Sequence, residues 1–371
     1  MKKSLALLLG ILCLCSLLAL PVSAAQDFFP AGKPLPWTRA LPLELDLVYR
    51  GITNGNVFSD SVLVLQGGEV VYERYALGWD KDKPHQMYSV TKSVLSALVG
   101  VAIADKKIRS VDQKVVEFLP GIKIAPGQEC KRDITIRHLL SQTSGLPGDD
   151  DDEANAVEWW AAKDSARAAF ELPQMAAPGE RFAYSSGPGM QTLSALLARA
   201  VGGDLFAYAR RKLFKPLGMD SVLWGAAADG VYYGGFGLSM TPRDMARLGQ
   251  LYLNKGKWNG KQIIPASYVA ASKPPSQEVN PDYGFLFWNY SKNSPQDGSY
   301  EASGSFGNFI CILPEEDTVI VRTGSAGPAT RTVAGGFGKS RLVEALFMGT
   351  VYRLAPLKGV PLDYFIATLG T

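Results

Sequence analysis

The chain is 371 residues long and 47% hydrophobic, with 38 Lys and Arg against 35 Asp and Glu, a formal net charge of +3. So even a balance gives no electrostatic case for a nucleic acid or a membrane surface as partner, and points to a small-molecule substrate. Only two histidines, His85 and His138, accompany four cysteines, and no Cys/His cluster forms, so neither a metal site nor a cofactor is expected.

The chain opens M-K-K, continues uncharged from Ser4 to Leu20, and reaches Pro21-Val-Ser-Ala24 before Ala25. A basic start, an apolar middle and small residues at the end describe a secretory signal peptide cleaved after Ala24, which makes the product periplasmic or secreted. Neither Cys13 nor Cys15 follows the small residue of a lipoprotein signal, so a soluble product with no membrane attachment is expected, an uncleaved anchor being the alternative. Cleavage removes Lys2 and Lys3 and leaves 36 basic against 35 acidic residues. It also leaves two cysteines, Cys130 and Cys311, read as isolated buried thiols rather than a bridge. The remaining chain is longer than one simple core holds, so two subdomains are expected.

The run Ser61–Tyr75 reads as a hairpin around Gln66-Gly67-Gly68-Glu69. Next comes Tyr88–Asp105, Y-S-V-T-K-S-V-L-S-A-L-V-G-V-A-I-A-D, uncharged from Ser93 to Ala104. It predicts a core helix buried on every side and too short to span a bilayer. Ser89 and Lys92, three residues apart at its head, share one face. The positive end of the helix dipole and the loss of hydration both favour the neutral amine at Lys92. A neutral lysine beside a hydroxyl is a general base beside a nucleophile, and the helix start offers N–H groups to a developing oxyanion.

In Asp133–Pro147, Thr135 caps a short helix carrying His138, Leu139 and Leu140, where a histidine serves a backbone group rather than a catalytic triad. Asp149–Glu153 is an acidic run read as solvated loop. Composition then turns helical, which places an all-helical insertion at about 150–230 between α/β parts at about 25–149 and 231–371. Within it Ser186 or Gly187 caps a helix with Pro188 in its first turn and Leu193, Leu196, Leu197 and Val201 as its apolar stripe. Tyr184 falls in the loop just before. Thr241-Pro242 opens another helix with Met245, Leu248, Leu251 and Tyr252 inward. Tyr283–Tyr290 reads as a strand, and Gly304–Leu313 with Thr318–Arg322 as a hairpin.

Five stretches together resemble the serine hydrolases of the penicillin-recognising type, which include class C β-lactamases, D-alanyl-D-alanine carboxypeptidases, esterases and 6-aminohexanoate-dimer hydrolases. They are S-V-T-K at 89–92, T-I-R-H-L-L-S-Q-T-S-G-L at 135–146, Y-S-S at 184–186, G-G-F-G-L-S-M-T-P-R-D-M-A-R at 234–247 and A-S-G-S-F-G at 302–307, and the likeness spans most of 45–350. The resemblance implies an α/β fold, an antiparallel sheet flanked by helices with a helical insertion and the active site between them. It implies Ser89 as acylated nucleophile, Lys92 as its base, Tyr184 as second base and proton donor, and the N–H groups of Ser89 and Ser305 as oxyanion hole. Ser186, Ser303 and Gly304 take substrate-binding positions.

Two positions depart from the β-lactamase pattern. Ser186 replaces an asparagine, and Ala302-Ser303-Gly304 replaces Lys-Thr-Gly, which removes the cation that reads a substrate carboxylate. The expected activity is therefore amide or ester hydrolysis rather than β-lactam or stem-peptide cleavage. The alternatives are a carboxypeptidase or β-lactamase with Arg331 or Lys339 as substitute cation, and a non-catalytic binding protein. Trp159, Trp160, Tyr232, Tyr233, Phe287 and Trp288 are candidates for an acyl pocket, each with core packing as its ordinary role.

Overall fold

A computed structural model describes residue 29 and residues 57–155, 157–273, 275, 277–289 and 298–326. The expected signal peptide, Arg331 and Lys339 lie outside the described residues.

In chain order, strands β1 (Val57–Gln66) and β2 (Glu69–Tyr75) form the expected hairpin, and β3 (His85–Gln86) leads into helix α1 (Val90–Ala104). Helices α2 (Ile136–Leu140), α3 (Ser165–Phe170), α4 (Pro188–Val201) and α5 (Leu205–Ala209) follow, then β4 (Leu223–Trp224), β5 (Leu238–Met240) and α6 (Pro242–Leu253). The small ribbon β6 (Lys257–Trp258) and β7 (Lys261–Gln262) precedes α7 (Ala266–Ser272), and the chain returns to strand in β8 (Trp288–Asn289), β9 (Tyr300–Gly304), β10 (Asn308–Leu313) and β11 (Thr318–Ala326). Cys130 and Cys311 are both thiols, Cys311 buried in β10 and Cys130 only half-buried.

Six of these strands make one sheet in the order β2-β1-β11-β10-β9-β8, with every neighbouring pair antiparallel. Its centre is apolar on both faces: all six residues of β10 are buried, as are Leu63, Val64 and Leu65 of β1. α6 packs over β1, β10 and β11, while α1 touches β9 and β10 as well as α4, so α1 links the sheet to the helices.

Every residue of α1 from Val90 to Ala102 is buried. Burying one Leu or Val side chain is worth about 1.5–3 kcal/mol, so Val94, Leu95, Leu98 and Val99 outweigh the cost of taking one amine out of water. The hydroxyls are satisfied, Ser93 Oγ donating to the Leu286 carbonyl at 2.6 Å and Ser96 Oγ lying 3.0 Å from Tyr268 Oη. Among the described residues no helix is long and apolar enough to cross a membrane.

The caps follow the sequence. Thr135 Oγ1 accepts the His138 N–H at 3.3 Å, and His138 Nδ1 accepts the Thr135 N–H at 3.2 Å, so this histidine closes a helix end. Thr241 Oγ1 accepts the Asp244 N–H at 3.1 Å ahead of α6, and Gly187 is the residue that caps α4, with Pro188 at its first position.

Two strand expectations are corrected. Among the described residues 283–289 the strand is confined to Trp288–Asn289, because Leu286 adopts φ 62° and its N–H turns to the Leu140 carbonyl at 3.0 Å. Gly304–Leu313 is not one strand either: the chain turns at Ser305-Phe306-Gly307, with Phe306 at φ 64° and Gly307 at φ 72°, so β9 and β10 pair across that turn.

Candidate active site

Ser89 is set by the turn before it. Met87 donates its N–H to the Leu238 carbonyl at 2.8 Å, tying β3 to the end of β5, and Tyr88 then takes the left-handed conformation at φ 48°. A bulky residue adopts that conformation at a cost of about 1–3 kcal/mol, which the surrounding packing has to hold. The Tyr88 ring meets Phe306 edge-on at 5.0 Å, and Ser89 becomes the half-buried N-cap residue of α1.

One turn on, Lys92 is 1% exposed. Its Nζ donates to Ser89 Oγ at 2.8 Å, Ser186 Oγ at 2.9 Å and the Gly235 carbonyl at 3.1 Å, and stands 4.5 Å from the centroid of the Tyr184 ring. All three acceptors are uncharged. Gly235 lies so close that a Cβ there would come within 2.0 Å of the Ser186 carbonyl oxygen, so only glycine lets this loop reach the amine.

Tyr184 and Ser186 are held by the 135–146 motif. The Ala183 N–H donates to the Gln142 carbonyl at 2.9 Å, and the Gln142 side chain exchanges two hydrogen bonds with the Ser185 backbone at 3.1 and 3.2 Å. The half-buried Tyr184 ring stacks on Trp288 at 5.8 Å and meets Tyr283 at 6.2 Å. Tyr283 is wholly buried, and burial pushes its phenol well above the usual tyrosine range.

Asp149 enters unannounced by the sequence. Its Oδ2 accepts the Ser186 hydroxyl and its Oδ1 accepts the Ser186 N–H, each at 2.6 Å, while its own N–H donates to the Tyr184 carbonyl at 2.6 Å. The run Asp149–Glu153 begins in solvent as expected, and its first residue also sits one hydroxyl away from Lys92. No spacing rule links residues 37 positions apart, and its only local mark is its place just after S-G-L-P.

The end of β9 closes the other side. A Cβ on Gly304 would stand 2.5 Å from the Met87 carbonyl oxygen and 3.2 Å from the Ser89 N, so glycine is what lets the strand meet the helix start. Ser305 begins the turn immediately beyond. That turn is fastened from behind by fully buried Arg322, whose Nη1 donates to the carbonyls of Phe306 at 2.9 Å and Gly307 at 2.5 Å and whose Nε donates to Ser59 Oγ at 2.8 Å. Asn308 Nδ2 adds a bond to the Ser305 carbonyl at 2.7 Å. In the sequence Arg322 carries no mark beyond its place in the strand that begins at Thr318. Alternation along β9 puts buried Ala302 on the Gly304 face and half-buried Ser303 on the opposite one.

Of the six aromatic candidates, Trp288 reaches Tyr184, Trp159 packs on Gly187, where a Cβ would lie 3.1 Å from its ring, and Tyr233 stacks on Phe236 at 4.8 Å beside Gly235. Trp160 meets Trp159 and is 38% exposed. Phe287 instead fills the core against Tyr252 at 4.7 Å, and Tyr232 packs on Trp224 and Phe206 at 5.5 Å each. Neither histidine joins the site: His85 Nε2 lies 2.6 Å from Asp60 Oδ2 in a buried pair. A hydroxyl and an amine 2.8 Å apart, with the amine shielded from water, are equipped for nucleophile activation.

Comparison with known proteins identifies the family and the fold. The beta-lactamase family model matches residues 46–335. The chain is 25% identical over 338 residues to the 6-aminohexanoate-dimer hydrolase of Paenarthrobacter ureafaciens, covering 84% of each chain. Among solved structures it is similar to EstCE1, a hydrolase with promiscuous acyltransferase activity (TM-score 0.67, 18% identity, 84% of this chain and 99% of that one). It is also similar to a class C beta-lactamase mutant (TM-score 0.65, 14% identity, 86% of this chain and 99% of that one). The α/β architecture, an antiparallel sheet with flanking helices, is thus the β-lactamase/transpeptidase-like fold, and the chain belongs to the beta-lactamase family of serine hydrolases.

Proposed function

We propose that the protein is an exported hydrolase that opens an amide or ester bond of a small substrate through an acyl-enzyme on Ser89. The observation that carries this reading is the 2.8 Å contact between Ser89 Oγ and the Nζ of buried Lys92. Lys92 as the neutral amine takes the Ser89 proton while Oγ bonds to the substrate carbonyl carbon. The resulting oxyanion rests on the N–H groups of Ser89 and Ser305, and Tyr184 gives a proton to the departing amine or alcohol. Water then attacks the acyl carbon and gives its proton to the Tyr184 phenolate, the bond from Ser89 Oγ to the acyl carbon breaks, and Lys92 returns its proton to Ser89.

Substrate class follows from charge. Ala302 stands at the position where Lys-Thr-Gly enzymes carry a cation, its methyl wholly buried, and the exposed carboxylate of Asp149 lies one hydroxyl from Lys92 through Ser186. At this position the chain offers no cation to a substrate carboxylate, which favours the amide hydrolysis suggested by the name of the 6-aminohexanoate-dimer hydrolase relative over penicillin recognition. Export rests on the M-K-K start and the uncharged run to Leu20.

The test is a fluorophosphonate probe followed by ester, amide and β-lactam substrates side by side, with Ser89→Ala as blank. Labelling of the folded protein at Ser89 with turnover of neutral esters or amides is expected. Folded protein that does not label at Ser89 favours a binding protein, and efficient turnover of a chromogenic cephalosporin favours a β-lactamase or carboxypeptidase. Fractionation and N-terminal sequencing of the product test export and cleavage after Ala24.

A further inference from the structure

Lys92 faces three oxygens, and the direction of each hydrogen bond decides whether it can act as a base. The Gly235 carbonyl has no hydrogen to give, so it always accepts from Nζ, at 3.1 Å. Ser186 is different, because a hydroxyl donates as readily as it accepts. Were its hydrogen turned toward a neutral Lys92, it would occupy the only lone pair on Nζ, and Ser89 would receive an N–H instead of surrendering its own proton.

Asp149 removes that ambiguity. An ionised carboxylate is an acceptor only, and here its two oxygens take both hydrogens of one residue, the hydroxyl and the N–H of Ser186, at 2.6 Å each. With its hydrogen committed, Ser186 Oγ has only lone pairs to offer Lys92, at 2.9 Å. Two of the amine's hydrogens are therefore assigned, and the third direction, toward Ser89 Oγ at 2.8 Å, holds an N–H when Lys92 is charged and the lone pair when it is neutral.

We infer that Asp149 is a positioning residue for the hydrolytic reaction, fixing the polarity of the Ser186 hydroxyl so that the lone pair of Lys92 has Ser89 as its sole proton source. This rests on the reading of Ser89 and Lys92 as nucleophile and base, and Asp149 itself touches neither of them. The titratable and charged groups around the chain are Tyr184 under the amine, Tyr283, whose phenol the nearby Asp149 carboxylate helps push up, and the Asp151–Arg181 pair on the same loop at 2.6 Å.

The experiment is a double-mutant cycle on the full chain with Asp149→Asn and Ser186→Ala, read as single-turnover acylation by p-nitrophenyl butyrate across pH 5–10, with kcat and KM alongside. Asparagine offers one acceptor in place of two, so its amide hydrogens face Ser186 Oγ and push the hydroxyl hydrogen back toward Lys92. Asp149→Asn is expected to lower the acylation rate about tenfold, a part of the 10²–10⁴ that a positioned base supplies, to move the pH midpoint of acylation, and to leave KM within about twofold. In the Ser186→Ala background the same change is expected to cost less than about twofold, since no hydroxyl is left to orient. Asp149→Ala, with melting curves for each variant, repeats the cycle without the asparagine amide. Equal losses in both backgrounds, or a loss confined to KM, overturn the role of Asp149. Wild-type protein that is folded yet neither labels nor turns over overturns the hydrolase reading instead.

Discussion

The Nζ of Lys92 stands 4.5 Å from the centroid of the Tyr184 ring and 2.8 Å from Ser89 Oγ. The ring face and the phenol oxygen therefore have separable roles: the π-face steadies the ammonium by about 0.5–2 kcal/mol, while only the hydroxyl has a proton to give. Tyr184→Phe is expected to keep fluorophosphonate labelling of Ser89, where fluoride leaves without a proton, and to lose about 10²–10⁴ in amide turnover. Equal loss in both assays would remove Tyr184 from proton transfer to the leaving group.

Gly304 touches the helix start so closely that an added methyl has no room. Gly304→Ala places Cβ 2.5 Å from the Met87 carbonyl oxygen, which forces the end of β9 away from the Ser89 N–H. A misplaced oxyanion donor costs about 10²–10³ in kcat, and that loss is expected in acylation rates while far-ultraviolet circular dichroism stays unchanged. Wild-type kcat in Gly304→Ala would show that the Ser305 turn does not hold the oxyanion.

Arg322 holds two carbonyls of that turn from inside the sheet. Arg322→Met keeps much of the volume but leaves the Phe306 and Gly307 carbonyls short of a donor, at about 1–3 kcal/mol for each acceptor left buried. Urea denaturation should read a drop of that size, together with slower acylation, because left-handed Phe306 and Gly307 are no longer clamped. Loss of stability with unaltered acylation would make the clamp purely structural.

Lys131 is buried, its Nζ donating to the carbonyls of Phe170 at 2.8 Å and Leu172 at 2.5 Å, and burial pushes its amine down to about 8 from the usual 10.5. The unfolded chain therefore holds this proton more tightly than the native one, and the buried ammonium costs stability below about pH 8. As pH rises from about 8 toward 10.5 the native amine is neutral while the unfolded one is still charged, and that cost is relieved. Stability of the wild type relative to Lys131→Met is expected to improve across this window in urea titrations. A difference that is flat or falls with pH would contradict the burial account.

Local spacing made much of the framework legible. The hairpin at Gln66–Glu69, the Thr135, Gly187 and Thr241 caps and α1, buried from Val90 to Ala102, all depend on contacts within a few residues, where pattern and propensity decide. The strand errors have the same physics behind them. Apolar and aromatic residues run through Gly304–Leu313 and Tyr283–Tyr290, but tertiary contacts to Arg322 and Leu140 hold Phe306 and Leu286 at positive φ and break the strands there.

What the sequence by itself determined was the pairing of Ser89 with Lys92, because three residues on a helix bring two side chains to one face whatever surrounds them. What only the tertiary structure decided was the company that pair keeps. Ser186 and Gly235 meet Lys92 from 94 and 143 positions away, and Asp149 reaches Ser186 across 37. No local periodicity encodes such distances. They arise because α1, the Tyr184 segment and the end of β9 bury their apolar faces against one shared core, and that packing is what points one serine, one amine and one carboxylate at each other.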